Sequence, residues 1–62
     1  MQFYQIALEG HAPQGALFES RAAAMREVRF LQADDRRYAE DALREAGIVV
    51  APSVYVVHEV VR

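Results

Sequence analysis

The chain has no cysteine and is only 62 residues long. A chain of this length buries roughly 60% of the surface its unfolded form exposes, so its core is small and its stability thin. Small domains commonly compensate with disulfides, a metal or a second subunit. Without cysteine, disulfides and thiolate zinc sites are excluded. The two histidines, His11 and His58, lie far apart in sequence. No metal and no other cofactor is therefore expected, and a second copy of the chain is the expected source of extra support.

Apolar residues make up 53% of the chain, too many for a disordered segment. No apolar run approaches the roughly 18 residues of a membrane span. Met1 to Gln5 carry neither a basic region nor a long apolar stretch, unlike a secretory signal, so the expected location is cytoplasmic. The net charge of −2 gives no global attraction to nucleic acid or to anionic lipid.

Residues 2–9 alternate: Tyr4, Ile6 and Leu8 on one face, Phe3, Gln5, Ala7 and Glu9 on the other. That pattern predicts a half-buried strand. Gly10 to Gly15 holds two glycines and a proline and reads as a loop. Ala16 to Glu19 is a short extended lead-in. Ser20 is the expected N-cap of a helix, with Ala24, Val28 and Leu31 on its apolar stripe and Met25 beside it. Asp34-Asp35 interrupts that stripe. It favours two helices, 21–32 and 35–46, or a marked kink, over one helix from 21 to 46. Glu40 and Arg44 are spaced for an i,i+4 pair, and Gly47 is the expected residue just past the helix end.

Ile48-Val49-Val50 has the composition of an extra short strand. Val54 to Val61 predicts a strong one, with Val54, Val56, His58 and Val60 on one face and Tyr55, Val57, Glu59 and Val61 on the other. Apolar side chains on both faces suit a central strand covered on both sides. The expected fold is α+β: a small antiparallel sheet of the N- and C-terminal strands, with room for a third short strand, and one or two helices on one face. The chain reads as one domain, residues 1–62.

Catalytic chemistry is not visible. Ser20 and Ser53 read as a cap and a turn residue. Asp34-Asp35 reads as a cap with a dipole partner, and Asp41 with Glu45 as a solvated face rather than a cation site. The three glycines lack phosphate-loop spacing. No enzyme is expected. All seven basic residues are arginines. Arg26, Arg29, Arg36 and Arg37 are candidate contacts for an anion or an acidic partner. Because Glu27, Asp34, Asp35, Glu40 and Asp41 are interleaved with them, nucleic acid is disfavoured as that partner. Tyr55, Val57, Val61, Phe3 and Phe30 are the candidate protein interface, since these apolar groups fall off the expected core stripes.

In size and layout the chain resembles the small accessory proteins of phages and mobile elements. Its run Phe18-Glu19-Ser20-Arg21-Ala22-Ala23-Ala24 is a strand-to-helix lead-in of the kind common in them. The resemblance implies a single α+β domain without a cofactor that binds and blocks, or regulates, a larger host complex such as a defence system. It carries no functional residue over to this chain. The expected function is a non-enzymatic protein-binding module, homodimeric, with a larger protein complex as its partner. A small nucleic-acid-binding regulator using the helical arginines is the alternative.

Overall fold

Alternation at the two ends of the chain becomes two strands, and the alanine-rich middle becomes one helix. The computed structural model describes residues 1–62 in the order β1 (Gln2–Leu8), α1 (Arg21–Ala46), β2 (Tyr55–Val61). β1 and β2 pair antiparallel, from Gln2 opposite Val61 to Leu8 opposite Tyr55. On the far side of β1, Tyr4 exchanges two backbone hydrogen bonds with Phe18, each 2.8 Å. The lead-in to the helix is thus tied to the sheet, and β1 lies between Phe18 and β2.

α1 is a single helix of 26 residues. The Ser20 hydroxyl accepts a hydrogen bond from the Ala23 amide at 3.1 Å. At the other end Gly47 adopts φ 66°, a left-handed conformation that costs an L side chain about 1–2 kcal/mol. There the Gly47 amide donates to the Leu43 carbonyl and the Ile48 amide to the Ala42 carbonyl, an αL-type cap.

Several expectations from the sequence are corrected here. The helix does not break at Asp34-Asp35, so neither aspartate is a cap. No Gly or Pro lies between residues 21 and 46, and Asp35 has a tertiary partner that offsets its modest helix penalty: the Tyr55 hydroxyl donates to its Oδ2 at 2.5 Å. Ile48-Val49-Val50 is not a strand; it belongs to a segment that returns along the second half of α1. β2 is not a central strand but an edge, with β1 its only backbone neighbour. Arg44 pairs with Asp41, three residues back, rather than with Glu40.

Only Ala7, Ala24 and Val28 are buried. The accessible surface is 4928 Å², against about 4,000 Å² for a compact monomer of 7.0 kDa. The radius of gyration is 13.9 Å, against about 10.5 Å for a compact chain of this length. The cause is geometric. A helix of this length spans about 39 Å, whereas the strands span about 24 Å. The second half of α1 overhangs the sheet, and only the return segment lies against it.

Ser20→Ala should lower unfolding stability by about 1 kcal/mol, with an unchanged denaturant slope. An unchanged urea midpoint would contradict the capping role.

Candidate functional site

The register sorts the sheet residues into two faces, because directly opposed residues of an antiparallel pair point the same way. Tyr4, Ile6, Leu8, Tyr55, Val57 and Glu59 share the face that carries α1. Three contacts place the helix there. Arg21 Nη2 lies 3.5 Å from Glu59 Oε1. The Arg21 guanidinium also sits 5.5 Å from the centre of the Tyr4 ring, and Tyr55 holds Asp35. The opposite face carries Phe3, Gln5, Ala7, Val56, His58 and Val60. The loop before α1 reaches its edge, where Gln5 Nε2 donates to the Gly15 carbonyl at 3.0 Å. On this face Ala7 is buried, and Phe3, Val56 and Val60 are half-buried.

The edges are as unequal as the faces. The Val54 carbonyl accepts from the Glu9 amide, and the Arg62 amide donates to the Met1 carbonyl. Even-numbered residues of β2 therefore direct their backbone groups at β1, and odd-numbered ones direct theirs away. The N–H and C=O groups of Tyr55, Val57, Glu59 and Val61 line a free edge, and no backbone hydrogen bond is made along it.

The outward side of α1 is sorted by charge. At 3.6 residues per turn, Arg26, Arg29, Arg36 and Arg37 fall within about 100° of arc, opposite the Ala24, Val28, Leu31 and Asp35 stripe. All four are exposed. Phe30, 70% exposed, lies beside them. Glu27, Asp34, Asp41 and Glu45 gather along one flank of the same surface. Charges that alternate in sequence are thus segregated in space, with only Glu40 among the arginines.

The candidate interface residues do not form one surface. Tyr55 and Val57 are on the helix-bearing face. Val61 shares that face but sits at the strand end, 79% exposed. Phe3 is on the opposite sheet face, half-buried, and Phe30 is on the far side of α1. The four candidate arginines, by contrast, are brought together. The register places Val56 and Val60 with Phe3, on the face opposite Tyr55 and Val57. The role of Asp35 was missed, and its only sequence signal was the interruption of the apolar stripe.

No three His, Asp or Glu side chains cluster as metal ligands would. A cleft of about 520 Å³ is lined by both α1 and the return segment, with Gln32, Asp35, Ala39, Val50 and Pro52 among its residues. Asp35, its one carboxylate, is already engaged by Tyr55. No buried polar side-chain atom in the chain lacks a partner. Compared with protein-family models, curated proteins and solved structures, the chain matches none.

The hydrogen bond that Tyr55 donates to the Asp35 carboxylate, followed by burial, holds the Tyr55 phenol above its ordinary value of 10.0. The neutral phenol is the form the fold binds. The stability it adds is complete below that ordinary value and is lost as pH rises through the folded value. An alkaline absorbance titration should show a tyrosine phase above that ordinary value, and Tyr55→Phe should remove it. The same substitution should cost about 1 kcal/mol. A late phase that persists in Tyr55→Phe would contradict the assignment.

Proposed function

We propose that the chain is a non-enzymatic protein-binding module that works as a homodimer, β2 pairing with β2 of a second copy. The observation that carries this is the unprotected outer edge of β2. Edge strands are normally blunted by proline, lysine, a bulge or an inward charge. Tyr55-Val56-Val57-His58-Glu59-Val60-Val61 has no proline, lysine or glycine. Its one carboxylate, Glu59, is directed to Arg21. An isolated two-stranded sheet is marginal in water; here α1 supports one face, and added strands would extend the sheet further. Pairing about a twofold axis makes a four-stranded sheet and satisfies the four free N–H and C=O pairs in each copy.

Full overlap of the two strands sets His58 opposite its own copy and Val56 opposite Val60 of the second copy. Phe3, Val56 and Val60 then occur twice on one continuous face, around the paired His58 side chains. That face is the surface we assign to a larger protein partner, in the binding-and-blocking manner of the small accessory proteins of phages and mobile elements.

Sedimentation equilibrium should give twice the 7.0 kDa chain mass at high micromolar concentration. Glu59→Pro removes one outward N–H and should yield a folded monomer, while Glu59→Gln should remain dimeric. Residues opposed without hydrogen bonds lie about 4.5 Å apart at Cα, within disulfide range. His58→Cys should therefore cross-link on oxidation and Val56→Cys should not. A wild-type chain that stays monomeric would overturn the dimer.

A further inference from the structure

We propose that the outward face of α1 docks an acid-rich helical segment of a different protein. Arg26, Phe30, Ala33, Arg37, Glu40 and Arg44 recur at spacings of four and three, the repeat along which one helix lies against another. All six are exposed. Phe30 supplies the apolar contact, and Ala33 next to it lets a second backbone come close. Arg44 already holds Asp41, so the available stretch runs from Arg26 to Arg37, about 16 Å or three turns.

Charge complementarity identifies the occupant. A second copy in parallel register would match Arg29 with Asp34 and Arg36 with Asp41, the usual flanking pairs. It would also set Arg26, Arg37 and Arg44 each against its own duplicate. An antiparallel copy would set the Arg29 and Arg36 flank against itself. A nucleic-acid duplex presents phosphate on both walls of its groove, and the flank formed by Glu27, Asp34 and Asp41 would meet one of them. Single strands need successive aromatic platforms, and Phe30 is the one aromatic on this stretch. What remains is a protein helix with carboxylates over Arg26, Arg29, Arg36 and Arg37 and an apolar side chain over Phe30. This docking does not require the dimer, because the face lies on the side of α1 away from the sheet.

The test is fluorescence anisotropy of the full chain with a stapled helical peptide that carries leucine at its centre and glutamates toward the arginines. Comparison probes are the same peptide with lysines in place of the glutamates and mixed-sequence single- and double-stranded oligonucleotides. The glutamate peptide should bind, and more weakly as salt rises. The lysine peptide should not bind. R29E/R36E should weaken binding by about tenfold or more, with circular dichroism and sedimentation unchanged, and F30A should weaken it as well. Glu59→Pro should leave binding intact, which separates this surface from the sheet edge. The proposal is overturned if the glutamate peptide fails to bind, if R29E/R36E binds it equally well, or if either the lysine peptide or an oligonucleotide binds as tightly.

Discussion

The antiparallel ladder between β1 and β2 joins the two ends of the chain, and every other contact is built on it. Phe18 is fastened to its outer side through Tyr4. α1 crosses one face, held near its start by Arg21 on Tyr4 and Glu59 and near its middle by Asp35 on Tyr55. Because the paired strands are separated by the whole helix and both loops, closing the ladder orders most of the chain at once. Such non-local pairing is slow to form.

That arrangement uses one face of the sheet and one stripe of the helix. Ala24 is fully buried and Val28 nearly so, which places the tightest packing where α1 passes over the strands. The sheet face opposite the helix contacts, the free edge of β2 and the outward side of α1 lie outside it. Each has a different character: apolar, hydrogen-bonding and basic. Phe3, Val56 and Val60 are only half-buried, so each forgoes part of the roughly 1.5–3 kcal/mol that full burial would give. The free edge leads directly to more strands, and extending the sheet also enlarges its apolar face. The basic side of the helix has no such self-complement.

Local signals in the sequence were legible where local chemistry decides. Ser20 and Gly47 mark the helix ends because capping depends on one side chain or one φ value. The alternation of residues 2–9 marks β1. Signals that depend on a distant partner were misleading. Asp34-Asp35 looks like a break because the hydrogen bond from Tyr55 is invisible in a linear reading. Val54 to Val61 looks like a central strand because its composition is two-sided, but composition does not count neighbours. The charge segregation on α1 was hidden because sequence order interleaves residues that a helix sorts by angle.

The central claim is that the outer edge of β2 is hydrogen-bonded in the working protein. Amide hydrogen exchange resolved by residue tests it directly, since the odd-numbered amides of β2 have no intramolecular partner. At high protein concentration Tyr55, Val57, Glu59 and Val61 should exchange nearly as slowly as Val56, His58 and Val60, and dilution should release them selectively. Odd-numbered amides that exchange fast at every concentration, beside even-numbered ones that remain protected, would contradict the account.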